Sequence, residues 1–373
     1  MSFQTNLSSS SDFFSFGSIP DGRRLSLSRY SQSSSFNSTP SPLFEDHSPA
    51  LPFSSIWNTV STNGKHQPAP RTGQTVIYLE KENCILSCYG KLNDNSFSDE
   101  FWIFSLTEQV WKKLDVKEAY PRAGCSATYE GNQNRVWFFG GITPMKSVAE
   151  LHYLDLENLV INYPITTGEC PPPCTLPMIV FYKPFLIVWA SNSGTDGITS
   201  LSSLHVLDTE EMNWERIETD YIGRQGSCGA IVGSTLYVFG ATCSKSILEM
   251  DLKNFTFTLV PTTGCEPPFG MNSLATVSSG NVIFAFETLE FKEKAHLFVF
   301  DTEKANWMRY NVALGEEKET NEKYPRIIFY LPSERKLIAL CEGDEENSHP
   351  LTELNIGKSI AALNQKLDYL SML

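Results

Sequence analysis

The chain has 373 residues, 41% of them apolar, and a formal net charge of −14. That length allows one large core or two smaller ones, and the acidic balance argues against sequence-independent nucleic-acid binding, which draws its affinity from Lys and Arg neutralising phosphates. The start, MSFQTNLSSS, lacks the basic and apolar segments of a secretory leader, and the longest apolar run, MIVFYKPFLIVWA, is broken by Lys183 and Pro184, so no membrane insertion is expected.

Residues 1–53 are rich in Ser, with scattered Pro and Phe and no sustained period. Such a segment does not bury enough apolar surface to offset its ordering entropy, and it reads as a disordered tail. Within it Ser26 follows Arg23 by three residues, the spacing of a basophilic kinase site, which makes Ser26 a candidate for phosphorylation.

From residue 54 a repeat takes over. Its best copy, Pro121 to Tyr163, reads as four short strands: small residues in the first, VWFF ending the second at Gly140 and Gly141, LHYL in the third up to Asp155, and Val160 to Tyr163 in the fourth. A Pro/Arg-type start recurs at Pro70–Arg71, Pro121–Arg122, Pro172–Pro173, Gly223–Arg224, Pro267–Pro268 and Pro325–Arg326, at intervals of 51, 51, 51, 44 and 58 residues. Independently, a short polar residue closes each third strand: Ser105, Asp155, Asp208, Asp251, Asp301 and Asn355. Such side chains accept a hydrogen bond from the amide two residues on and so start a tight turn. Trp111, Trp214, Phe257 and Trp307 open fourth strands, and TTGECPPP at Thr166 is echoed by TTGCEPP at Thr262.

Six markers mean six copies, and a period near 50 with four strands per copy predicts an all-β, six-bladed β-propeller over residues 54–356. Small residues in the first strand suit a crowded axis, and Trp in the fourth fills the wedge where blades diverge. The sixth copy lacks a Trp-type fourth strand after Asn355. Ile56, Trp57 and Val60 match the missing pattern, so the N-terminal strand is predicted to complete the last blade and remove an open sheet edge. Residues 357–373, with Ile360, Leu363, Leu367 and Leu370 at helical spacing, predict a short amphipathic helix packed on the propeller.

These residues resemble the kelch-repeat propellers. Pro121, Arg122, Gly124, Gly140, Gly141, Tyr153 and Asp155 match the family unit in the second copy, and Pro70, Arg71, Gly73, Tyr89, Gly90, Trp102 and Trp111 match it in the first. The double glycine is replaced in later copies, as at Gly240–Ala241 and Phe286–Glu287. The resemblance implies a cytoplasmic, non-catalytic scaffold or effector in vesicle traffic, the cytoskeleton or signalling. Its architecture is closest to that of stand-alone kelch proteins, some of which are effectors of Rab-type small GTPases.

Nine cysteines, four of them (Cys84, Cys88, Cys243 and Cys341) inside apolar runs, read as core thiols of a reduced compartment. Cys170 and Cys174 lack a second ligand pair, and no cofactor is expected. His152 and His205 fall at equivalent third-strand positions and read as partly exposed strand residues too far apart to share a metal. An enzyme with a metal or small-molecule site at the ring mouth stands as the alternative. Four arginines at first-strand entrances, Arg71, Arg122, Arg224 and Arg326, are expected to encircle the axis and bind a protein partner through an acidic or phosphorylated segment.

Overall fold

The computed structural model describes residues 56–64, 66–189, 191–194, 197–200, 203–221, 228–239, 246–265, 267, 274–287, 295–314, 325–331, 336–341 and 351–355, all within the second of two units, Ser48–Leu373. The tail over 1–53, with Ser26, and the helix expected over 357–373 lie outside them.

All regular structure among the described residues is β. The first sheet holds Thr75–Leu79, Cys84–Cys88, Phe101–Ser105 and Val110–Leu114, each strand antiparallel to the one before. The second repeats this with Ser126–Glu130, Arg135–Phe139, Leu151–Asp155 and Val160–Asn162. Met178–Tyr182, Phe185–Trp189, Ser203–Asp208 and Asn213–Glu218 make the third. Cys228–Val232, Thr235–Phe239, Ser246–Asp251 and Thr256–Pro261 make the fourth. A nine-stranded sheet follows, and it has two antiparallel halves. One holds Leu274–Ser279, Val282–Glu287, Ala295–Asp301 and Asn306–Leu314. The other holds Pro325–Leu331, Lys336–Cys341, Leu351–Asn355 and the N-terminal strand Ile56–Thr59.

Ile56–Thr59 runs antiparallel to Leu351–Asn355, with Asn58 opposite Glu353 and Thr59 opposite Thr352. It also runs parallel to the end of Asn306–Leu314, with Trp57 opposite Leu314. That parallel contact is an instance of a general rule of this chain: the linker entering a sheet lies along that sheet's outermost strand. Thr167–Gly168 pairs in parallel with Asn213–Trp214, Thr263–Gly264 with Asn306–Trp307, and Lys117 bridges Val160. The two TTG segments owe their likeness to this. Each second Thr hydroxyl reaches an Asn side chain, Thr167 to Asn213 at 2.8 Å and Thr263 to Asn306 at 2.9 Å. Gly168, at φ +79°, has no room for a side chain, since a Cβ would lie 2.0 Å from the Trp214 carbonyl. Trp57 thus stands to Leu314 as Trp214 stands to Gly168 and Trp307 to Gly264.

Three of the polar residues closing third strands do what their chemistry predicts. The Asp155 carboxylate accepts from the amides of Glu157 and Asn158, Asp208 from Glu210 and Glu211, and Asp301 from Glu303 and Lys304. Each turn ends on a residue in the left-handed region, Leu159, Met212 and Ala305, before the chain re-enters a strand.

Apolar side chains between facing sheets form the core. Leu86, Cys88 and Phe101 pack with Phe138 and Leu154 between the first and second sheets. Trp137 and Phe139 meet Leu186, Val188 and Trp214 between the second and third, and Trp189 and Val206 meet Leu236, Val238 and Met250 between the third and fourth. Tyr237 and Phe239 meet Phe298, Phe300 and Trp307 beyond that. Phe284 stacks on Tyr330 at 6.1 Å, and Leu331, Ile338, Leu340 and Leu351 pack on Ile85, Phe104 and Trp111 of the first sheet, so the succession closes on itself. Burying each such aromatic contributes about 2–3 kcal/mol. The inner strands are tied directly: Gly124 N–H donates to Gly73 O at 2.7 Å and Leu176 N–H to Gly124 O at 2.8 Å.

Candidate functional site

The candidate site lies at the sheet end where linkers enter the inner strands and where second strands turn into third. Arg71 is buried there. Its Nε donates to Ala69 O at 3.0 Å, Nη1 to Tyr89 O at 3.1 Å and Ser98 Oγ at 3.0 Å, and Nη2 to Glu100 at 2.8 Å. Glu100 also accepts from Lys113 at 2.6 Å and Trp102 Nε1 at 3.1 Å. Partial burial acts to raise the Glu100 pKa, but the donors Lys113, Arg71 and Trp102 outweigh it and hold the carboxyl at about 2.

The second sheet repeats the arrangement. Arg122, 1% exposed, donates to Tyr120 O at 3.4 Å and to Glu150, and its guanidinium lies 5.3 Å from the Tyr89 ring centre. It also meets His152 Nδ1 at 3.4 Å. A guanidinium only donates, so Nδ1 is the acceptor and the imidazole proton sits on Nε2, which gives it to the Tyr89 hydroxyl at 3.0 Å. Burial, reinforced by Arg122, pushes the His152 pKa well below its ordinary value, and the ring stays neutral between Phe138 and Tyr163. Exposure at both histidine positions is therefore less than expected: His152 is fully enclosed and His205 is 4% exposed, because the third strand is covered by neighbouring sheets on both faces.

Both guanidinium groups thus face into the fold, each neutralised by a glutamate one residue before a third strand. Pairing within the inner hairpins shows which residues hold the same place elsewhere. Eight residues before the last pair of the first three inner hairpins come Arg71, Arg122 and Cys174. Hydrogen bonding supports the third assignment, since Cys174 O accepts from Gly141 N–H as Arg122 O accepts from Gly90 N–H, both at 2.8 Å. Pro173 and Arg326, taken as strand entrances from the sequence, are displaced. Arg326 falls at a β-bulge between Pro325 and Ile327, inside the inner strand, because that strand begins earlier than the others. Arg224 lies outside the described residues.

The acid positions follow by a similar count, five residues before the closing polar residue: Glu100, Glu150, Ser203, Ser246 and His296. In the third sheet both partners are replaced together, by Cys174 and Ser203. In the fourth, the acid position holds Ser246. The paired glutamates were the signal that sequence reasoning missed; they stand 29 residues after Arg71 and 28 after Arg122.

The same end displays apolar side chains. Ile142 is 38% exposed, Met145 92% and Leu176 37%. Ile142 bridges Ala123 and Leu176 is bonded to Gly124, so both flank one linker. Leu176 takes a left-handed conformation where the first two sheets use Gly73 and Gly124. Among the described residues, no three His, Cys, Asp or Glu side chains are grouped to hold a metal ion.

Residues 52–241, half of the chain, match the KLHDC2/KLHL20/DRC7 kelch-repeats domain. The chain is 22% identical over 230 residues to the leucine-zipper-like transcriptional regulator 1 homolog of Drosophila melanogaster, covering 58% of this chain and 23% of that protein. It is 26% identical over 233 residues to acyl-CoA-binding domain-containing protein 4 of Arabidopsis thaliana, covering 58% of this chain and 34% of that one. The chain therefore spans about a quarter to a third of the length of these relatives. With its all-β sheets, its inner-hairpin geometry and this match over half its length, the chain belongs to the KLHDC2/KLHL20/DRC7-type kelch-repeat family and forms a kelch β-propeller, a fold that generally serves to bind proteins.

Proposed function

We propose that this chain is a cytoplasmic, non-catalytic interaction module, a six-bladed propeller that takes an acidic and partly apolar segment of a partner protein at the end described above. The count of six rests on reading the two halves of the nine-stranded sheet as separate blades, with Ile56–Thr59 as the outer strand of the last. One observation carries the binding reading. Arg71 and Arg122 turn inward and are neutralised by Glu100 and Glu150, whereas the fourth repeat keeps an arginine, Arg224, in its sequence and carries Ser246 where the first two carry a glutamate. Ile142, Met145 and Leu176 offer the apolar part of the contact.

A peptide array tests this. Acidic and phosphorylated segments, each beside a version with its acids made neutral, are probed with the full chain and with Arg224→Glu. Preferential retention of the acidic versions, lost on charge reversal, is expected. Equal retention of acidic and neutral versions by the unmodified chain overturns the reading.

A further inference from the structure

The second sheet ends its second strand in an ordered turn. Ile142 bridges Ser147, Thr143 N–H donates to Lys146 O at 2.9 Å, and the Thr143 hydroxyl donates to the same carbonyl at 2.9 Å. That hydroxyl in turn accepts from the amides of Met145 at 3.3 Å and Lys146 at 3.2 Å. The turn is held at both ends, yet the residue at its tip is apolar and 92% exposed: Met145. Among the other described methionines two are buried and two half-buried. Met178 and Met250 are 3% and 1% exposed, Met212 packs against the core between the second and third sheets, and Met308 Sδ accepts from the Tyr310 hydroxyl.

Thioether oxidation needs an approach to sulfur, and enzymatic repair needs still more room, because the reductase must enclose the whole side chain. Met145 meets both requirements without any opening of the fold, whereas Met178 and Met250 require the sheets to part. We propose that Met145 is a site of reversible oxidation by peroxide. A sulfur lone pair attacks one peroxide oxygen, an S–O bond forms as the O–O bond breaks, and the departing hydroxide takes the remaining peroxide proton to leave as water. The sulfide is oxidised by two electrons and the peroxide reduced. A methionine sulfoxide reductase reverses the step: the sulfoxide oxygen leaves as water while two thiols become a disulfide. The turn then carries a polar, chiral group where a flexible apolar one stood.

The consequence for binding rests on the function proposed above, because Met145 shares its sheet end with Ile142 and Leu176. The site itself does not. The full chain is treated with hydrogen peroxide, quenched, digested and mapped by mass spectrometry. The Met145 peptide is expected to gain one oxygen about ten-fold sooner than the Met178 and Met250 peptides, and the folded chain is expected to lose it again with the two stereospecific reductases and dithiothreitol. Equal rates at the three positions, or a Met145 sulfoxide that is reduced only after denaturation, overturn the proposal. Met145→Leu, which preserves the apolar tip, is expected to abolish the fast gain. Cysteine-containing peptides are followed in the same digest, so that thiol oxidation is not counted as methionine oxidation. An array peptide released by peroxide from the unmodified chain but not from Met145→Leu supports the link to binding. Release from both or from neither removes that link and leaves the oxidation site standing.

Discussion

Replacing one member of the Arg122–Glu150 pair should cost nearly as much as replacing both. Glu150→Gln keeps the shape of the side chain and one acceptor but removes the negative charge beside a 1% exposed guanidinium, whose other partners, Tyr120 O, His152 Nδ1, Tyr163 and the Tyr89 face, are uncharged. An uncompensated buried charge of this kind costs about 3 kcal/mol. Arg122→Met preserves most of the stem but gives up the donor bonds and the cation–π contact, again about 3 kcal/mol. The double variant removes both charges at once, so its cost is about 3–4 kcal/mol instead of the sum, a coupling of about 2 kcal/mol. At about 2.1 cal/mol/K per residue over Ser48–Leu373, each kcal/mol moves Tm by about 1.5 °C. Each single change should lower Tm by about 4–5 °C and the double change by about 5–6 °C, read by differential scanning calorimetry at one scan rate. If the single effects add to within about 0.5 kcal/mol, the pair is not coupled and Arg122 is held by its other contacts.

Three further expectations can be checked separately. Glu100 has a depressed pKa, so its contribution is present above its ordinary value near 4.5 and is lost as pH falls toward about 2. Glu100→Gln should therefore flatten the Tm against pH curve in that window and leave its slope above pH 6 unchanged, whereas an unaltered acid slope would remove the ion-pair account. Gly168→Ala places a Cβ 2.0 Å from the Trp214 carbonyl and strains a positive φ, and should cost at least about 2 kcal/mol by urea denaturation; a neutral result would mean that the linker is not seated as described. A chain beginning at Val60 lacks Ile56–Thr59 and leaves two strand edges unpaired, so it should sediment as higher oligomers, and a stable monomer of normal Tm would show that closure does not depend on that strand.

Much of this architecture was legible from side chains with one local job. Asp155, Asp208 and Asp301 start tight turns wherever they stand, and the Thr-Thr-Gly echo reports a steric demand that only glycine meets. The Pro/Arg marker was less faithful because hairpin length varies. Two residues join Tyr182 to Phe185, Val232 to Thr235 and Ser279 to Val282, against four between Leu79 and Cys84, so a marker counted from the linker drifts while strand pairing does not. The misplacement of Arg326 has another source, since Pro325–Leu331 begins earlier than the other inner strands and takes the Pro-Arg pair inside it. The direction of Arg71 and Arg122 was not legible from either residue alone. An arginine at a strand entrance reads as a cation available to a partner until its glutamate is found 28 or 29 positions later, just before the third strand of the same sheet. The histidines were misjudged for a related reason: strand alternation predicts one covered face, and here neighbouring sheets cover both.

The linkers that lie along outer strands also determine where the chain tolerates alteration. Because Thr167–Gly168 and Thr263–Gly264 brace the sectors they lead into, a cut or added sequence there would loosen the downstream sector as well as the junction. Tight bends at the opposite end, such as those at 131–134 and 233–234, hydrogen-bond within their own sheets, Asn134 O accepting from Leu156 and Ser234 O from Leu252. A fluorescent label, an affinity tag or a new pair of termini belongs there, far from the end proposed to meet other molecules.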